Sequence, residues 1–491
     1  MNRILIWITA WTVALIAGLL GAHAADAPAI AFEECTLIGA RGYGTVRAEC
    51  GTLERPENPD NPAGATLELA VARIPALSPN PLPDAFTVIN GGPGGSSIEM
   101  YADMAGAFQA IRRERDIVIV DQRGTGQSNP MACPEFDDPN AEYSEELVRS
   151  ATQACLDSLP GDPRFYTTTI AVRDLDAVRE ALGYQQWNLY GVSYGTRVAL
   201  HYLRRYPDAV RTTIIDGILP PGHPLGTRIA LNGQNTLDHL FERCGHDTDC
   251  AAQFPDLPSR FAELSERLKR SSINLMVPDP ITSEIEPFEL RYVHMALALR
   301  LLNYAPETAS LVPLLIMEAA ERENYLPIAS NAIRVLLRVT GAIDNGMHNA
   351  VVCTEDTPLY SEENLAWEAI RETFLGEDQL KSLITICGLW PSGIMDEDIH
   401  DDVTSVKPVL VLSGEHDPIT PPEYGARVDA TLVNSLHIVA PGQGHGVIAR
   451  GCLPRLASEF VEQADWHALD SSCVQRLGPS PFFVNLMGPP P

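Results

Sequence analysis

The sequence predicts an α/β fold, in which a mostly parallel β-sheet is covered by helices on both faces and interrupted by a large helical insertion. Three observations carry this. Short β-branched runs alternate with amphipathic helical patterns along most of the chain. The runs are apolar throughout instead of on every second residue, as strands buried on both faces must be. Between about His223 and Asp402 the strand signals fade into helical stretches such as RYVHMALALRLLNYA and SLVPLLIMEAAERENY, and strands then resume.

In chain order, residues 1–24 (MNRILIWITAWTVALIAGLLGAHA) carry one arginine, a long apolar run and the small-x-small triplet Ala22, His23, Ala24. That layout predicts a signal peptide cleaved after Ala24, with an uncleaved membrane anchor as the alternative. No cysteine at that point supports a lipid anchor. Residues 25–222 are expected to form the first part of the α/β core. Its strands are ATLELAVARI from Ala65, FTVIN from Phe86, DIVIVD from Asp116, WNLYG from Trp187 and TTIIDG from Thr212. The helix TTIAVRDLDAVREALG places Ala171, Leu175, Val178 and Leu182 on one face, and Gly183 ends it. Residues 223–404 form the expected helical cap, and residues 405–491 return to the core through PVLVLSG from Pro408 and SLHIVAPG from Ser435. Two domains in tandem would leave those last strands as a tiny sheet of their own.

Composition narrows the function classes. A chain of 491 residues, 45% hydrophobic and 20% charged, can bury a large core. Its formal charge of -29 becomes -30 once the leader and its Arg3 are removed, which disfavours nucleic acid and anionic membrane surfaces. The most apolar later stretch, Tyr292 to Met317, is interrupted by Arg300, Asn303 and Glu307, so no stable membrane association is expected after cleavage. The ten cysteines, an even number in an exported chain, read as disulfides and a periplasmic or secreted location. Pairing them in chain order would close five short loops, one of very many possible connectivities. Zinc is disfavoured because neither a CxxC pair nor an HExxH is present.

GVSYG, with Gly191, Ser193 and Gly195, follows one strand and opens a helix. This is the setting in which a sharp turn lifts a serine hydroxyl above the carboxyl end of a sheet. A serine hydroxyl needs a base, and the base needs an orienting carboxylate. In this architecture the chain order is serine, acid, histidine, with the last two on loops after late strands. Asp417 in SGEHD and His445 in GQGHG meet that order. His416 is a weaker base candidate beside Asp417, and Asp216, at the end of TTIID, is a rival for the orienting acid. For the oxyanion, the glycine-rich turn in FTVINGGPGGSS offers an unobstructed amide. Gly92 and Tyr194 are the expected donor pair. A phosphate loop is the rival for this glycine run, but neither GxxxxGK[ST] nor GxGxxG occurs. DQRGTGQS, containing Arg123, reads as a loop bracing the pocket.

NGGPGGS (Asn90 to Ser96), DQRGTGQS (Asp121 to Ser128), GVSYGT (Gly191 to Thr196), GEHDPITPP (Gly414 to Pro422) and GQGHG (Gly442 to Gly446) together resemble the secreted α/β-hydrolases of the proline iminopeptidase and tripeptidyl aminopeptidase family. The resemblance implies an α/β-hydrolase fold, Ser193, Asp417 and His445 as a triad, a helical cap, and release of residues from peptide amino ends without a cofactor or metal. Proline iminopeptidases carry histidine before GGPG where this chain has Asn90, which brings it closer to the tripeptidyl aminopeptidase branch. A protonated α-amine calls for a carboxylate in the cap, and the family suggests an acidic residue near Cys353. Glu355 is that candidate. The expected partner is a peptide substrate. A carboxylesterase with the same triad is the alternative function, and a non-catalytic binding module is a third.

Overall fold

The computed structural model describes residues 30–489 except 41, 43, 134–143, 362 and 363. The expected signal peptide lies outside the described residues. Among the described residues there are eleven strands: β1 (Glu33–Ile38), β2 (Thr45–Pro56), β3 (Thr66–Ile74), β4 (Asp84–Ile89), β5 (Ile117–Val120), β6 (Gln186–Val192), β7 (Val210–Asp216), β8 (Ile273–Pro278), β9 (Ile285–Leu290), β10 (Val409–Gly414) and β11 (Ser435–Ala440). Nine form one sheet in the order β1-β2-β3-β5-β4-β6-β7-β10-β11. The strands from β5 to β11 pair in parallel, while β1, β2 and β3 continue the sheet antiparallel.

Strand β10 shows why this sheet has two covered faces. All six residues of VLVLSG are buried. Val409 and Val411 join the core on one side with Trp187, Leu189, Val198 and Ile215, whereas Leu410 and Leu412 join the other with Phe86, Tyr190, Ile214 and Phe460. Because successive side chains alternate between faces, only a strand apolar at every position can fill both layers.

Register then decides where loops emerge. Ile89 lies beside Gly191, Val192 beside Asp216, Asp216 beside Leu412, and Gly414 beside Ala440. The carboxyl ends of β4, β6, β7, β10 and β11 therefore open on one edge, where α/β sheets place their sites.

All seven strands expected from the sequence are present, and four further strands are not among them. In β1 and β2 only Leu37, Ala48 and Leu53 are buried, so charged residues on the open face hide the alternation. The other two, β8 and β9, form an antiparallel hairpin within the insertion. Asp279 builds the turn by accepting the Ile281 and Thr282 amides at 2.9 and 2.6 Å. The rest of the insertion has a core of its own, with Leu237, Leu264, Met295, Leu299, Val312, Ile316 and Ile328. Residues after the final helix cross onto it: Phe482 enters that core, and Phe483 N–H donates to Ser310 O at 3.1 Å.

The cysteines join in chain order, as Cys35–Cys50, Cys133–Cys155, Cys244–Cys250, Cys353–Cys387 and Cys452–Cys473. Two of them, Cys133–Cys155 and Cys353–Cys387, pack together with Trp390. The second ties the segment around Glu355 to the helix Asp378–Cys387. Closing its 34-residue separation restricts the unfolded chain by about 3–4 kcal/mol in the loop-entropy model. Replacing both Cys353 and Cys387 by serine is therefore expected to lower stability by that order, read as a fall in the urea midpoint with the fold retained.

Candidate active site

The strand β6 ends at Val192 and the helix Tyr194–Arg205 begins at once, so the chain must reverse within Ser193. Ser193 takes φ 56° and ψ -127°, a backbone region that costs a side-chain-bearing residue of order 1–3 kcal/mol. The flanking glycines make the turn possible. A Cβ on Gly191 would collide with the Gly195 carbonyl, and one on Gly195 would collide with the Ile89 carbonyl. The turn is held by Ser193 N–H donating to Asp216 O at 3.0 Å and Thr196 N–H donating to Ser193 O at 2.9 Å.

The glycine loop after β4 lies directly against this serine. A Cβ on Gly91 would sit 2.6 Å from Ser193 Cβ and 3.1 Å from its Oγ. Gly91 N–H is already donated to Asn90 Oδ1 at 2.7 Å, while Asn90 Nδ2 donates to Ser96 O at 2.9 Å. Asn90, where proline iminopeptidases have histidine, thus closes the loop on itself. Among the described residues neither the Gly92 amide nor the Tyr194 amide has an acceptor. These are the two donors expected from the sequence. Asp121 pins the same loop, accepting from Ser96 Oγ at 2.8 Å and Ile98 N–H at 3.0 Å.

His445 and Asp417 are brought together. His445 Nδ1 lies 2.7 Å from Asp417 Oδ2. The carboxylate is buried, and its Oδ1 accepts the Ile419 and Thr420 amides, both at 2.9 Å. Thr420 Oγ1 donates to Oδ2 at 2.8 Å and is 3.1 Å from His445 Nδ1. A carboxylate facing Nδ1 selects the tautomer with the proton there, which leaves Nε2 as the acceptor. Burial pulls the imidazole pKa down, but the charge and hydrogen bond of Asp417, with Asp216 adding, outweigh it and leave the pKa above its usual 6.5. His445 shares the β7 edge with Ser193: a Cβ on Gly217, the residue after Asp216, would lie 3.1 Å from His445 Cε1. The insertion reaches this point too. His445 N–H donates to Tyr304 O at 2.8 Å, and the two rings meet edge-on at 5.3 Å.

Other candidates fall elsewhere. His416 Nε2 faces Glu415 at 3.8 Å, away from Asp417. The Asp216 carboxylate accepts backbone amides and does not meet the imidazole. Arg123, fully buried, forks onto Asp174 at 2.6 and 3.0 Å and donates to the Glu57 and Phe165 carbonyls, so it braces the loop. Glu355 is 0% exposed and its oxygens accept Thr168 N–H at 2.7 Å and Thr168 Oγ1 at 2.8 Å, with Arg197 at 3.7 Å. Burial raises its pKa to about 7 against the opposing pull of Arg197. Sequence reasoning did not single out Thr420 or Tyr304. The D-x-x-T spacing after β10 was the available signal for the first, and nothing local marks the second.

Two family models match the chain: the alpha/beta hydrolase fold over residues 84–269 and a TAP-like protein over residues 372–473. The chain has the α/β-hydrolase fold. Serine protease Hip1 of Mycobacterium tuberculosis is 26% identical over 84% of this chain and 85% of its own. Carboxylesterase B of the same organism is 29% identical over 82% of each. Tripeptidyl aminopeptidase of Streptomyces lividans is 30% identical over 35% of this chain and 36% of its own. The chain is accordingly a hydrolase of the α/β-hydrolase fold, similar to proteins named as a serine protease, a carboxylesterase and a tripeptidyl aminopeptidase.

Two outcomes are expected. A base must be neutral to accept a proton, so kcat/KM should fall as pH drops through an apparent pKa above 6.5, read from a pH–rate profile. Thr420→Val removes a hydroxyl donor to a charged carboxylate, a contact worth about 1.5–3 kcal/mol, and should lower kcat about tenfold or more in steady-state assays with little change in KM.

Proposed function

We propose that this chain is an exported serine aminopeptidase that releases short peptides or single residues from free peptide amino ends through an acyl-enzyme. The observation that supports the reading is the shared strand edge at which the Ser193 turn, the glycine loop after β4 and the His445–Asp417 pair lie. In this mechanism His445 Nε2 takes the Ser193 proton as Oγ attacks the carbonyl. Asp417 holds the imidazole and steadies its charged form. The Gly92 and Tyr194 amides receive the oxyanion, His445 returns the proton to the leaving amine, and water, deprotonated by the same imidazole, releases the acyl group.

Peptidase action is favoured by the relatives named as a serine protease and a tripeptidyl aminopeptidase. Besides Glu355, two further carboxylates are candidates for recognising the amine. Glu99 and Asp344 line a cavity of about 330 Å³ that includes Ser96 of the glycine loop, and Asp344 N–H donates to Gly94 O at 3.0 Å. Export is supported by the leader and by five disulfides, which fit an oxidising compartment. Among the described residues no helix is long and apolar enough to cross a membrane.

The second reading, a carboxylesterase, is favoured by the relative of that name, since the same machinery cleaves esters. A peptide library with free and with acetylated amino ends, digested by wild type and by Ser193→Ala, separates the two. The peptidase reading expects cleavage only near free amino ends and a loss of at least about a thousandfold in the alanine variant. Turnover of short-chain p-nitrophenyl esters with no peptide cleaved would establish the esterase instead. Asp344→Asn should raise KM for free-amine peptides severalfold while leaving turnover of a simple ester unchanged.

A further inference from the structure

Asp216 is the last residue of β7 and is fully buried, yet no cation pairs with it among the described residues. Its backbone carbonyl accepts Ser193 N–H at 3.0 Å. Its carboxylate accepts Val447 N–H at 2.9 Å on Oδ1 and 2.8 Å on Oδ2, and Ile448 N–H at 2.8 Å on Oδ2. Tyr190 Oη completes the set, donating to Oδ2 at 3.0 Å. A single residue therefore grips the turn that carries the serine and, two residues downstream of the imidazole, the loop that carries the histidine.

An isolated buried carboxylate is costly to maintain. Three donors converging on one side chain explain part of the choice, because an asparagine would turn an NH₂ toward at least one of the amides. The remainder is charge. His445 is faced by Asp417 from the loop after β10, by Asp216 from β7, and by Tyr304 and Arg300 from the insertion, and of these the two carboxylates favour the imidazolium. Asp216 is itself faced by Tyr190 and His445.

We propose that Asp216 is a positioning residue of the active site, which fixes the His445 loop against the Ser193 turn and supplies a second negative charge that stabilises the imidazolium formed as the serine attacks. The role rests on reading Ser193 and His445 as nucleophile and base. Loss of the charge must lower the pKa of His445, whereas loss of a purely structural hydrogen bond has no reason to.

The test compares wild type, Asp216→Asn and Tyr190→Phe, with p-nitrophenyl acetate turnover and fluorophosphonate labelling of Ser193 across pH 5–9 and with thermal unfolding followed in parallel. For Asp216→Asn the expected result is a fall of about ten- to a hundredfold in kcat, KM within about twofold, and an acid limb shifted to lower pH. A folded Asp216→Asn with wild-type kcat overturns the proposal, and so does a lowered kcat whose acid limb stays in place. Tyr190→Phe keeps the charge but removes one of the donors that oppose burial, so it covers the case in which Asp216→Asn does not fold. Burial already lifts the Asp216 pKa to about 6, and losing the hydroxyl lifts it further, so activity at pH 6 relative to pH 8 should fall below the wild-type ratio. An unchanged ratio overturns the proposal. Turnover that survives Ser193→Ala would remove the underlying reading instead, a result distinct from a wild-type-like Asp216→Asn.

Discussion

The close approach of β4 and β6 at their carboxyl ends is the constraint on which the rest of this molecule depends. Gly195 backs onto the Ile89 carbonyl, and Gly191 onto the carbonyl of Gly195 itself. With no room for a Cβ at either place, the chain can reverse in one residue, and Ser193 is driven into a positive φ. The parallel register of β4, β6 and β7 keeps that geometry in place, because a slip of one residue would turn the buried face of each strand outward. The strain at Ser193 is carried by two covered apolar layers that leave the turn no alternative.

Buried carboxylates divide the labour around this turn. Asp417 faces the imidazole, Asp216 ties β7 to the loop beyond it, Asp121 pins the glycine loop, and Glu355 sits under the helix that starts at Tyr194. Glu355 acts through Thr168, whose Oγ1 lies 2.6 Å from Tyr194 Oη, so it supports the residue that follows Ser193. Asp356 beside it meets Arg197 at 2.8 Å. Each carboxylate is satisfied by amides, hydroxyls or a guanidinium, which is what allows so much negative charge near a histidine.

The insertion takes part in the site instead of only roofing it. Ile343 approaches Gly92, Tyr304 holds the backbone and ring of His445, and Thr168 receives Glu355 from the segment fastened by Cys353–Cys387. Three sides of one edge are therefore set by residues far from it in sequence. The hydrophobic core of the insertion keeps these contacts in register, and Phe482, after the final helix, joins that core.

Much of this was legible in the amino-acid order, because periodicity and turn chemistry are local properties. Strands apolar at every position announced a sheet covered on both faces, GVSYG between strand and helix marked the reversal, and Asp417 and His445 stood just past late strands. The hairpins β1–β2 and β8–β9 escaped because exposed faces and proline blur their period. Glu355 could be recognised as a notable carboxylate near Cys353, but its surroundings could not be read from its neighbours in sequence. Folding alone put Thr168 and Arg197 against it, chose Asp417 over Asp216 for the imidazole, and carried Tyr304 to His445. Those pairings span dozens to hundreds of residues, and they are decided by how helices and strands pack.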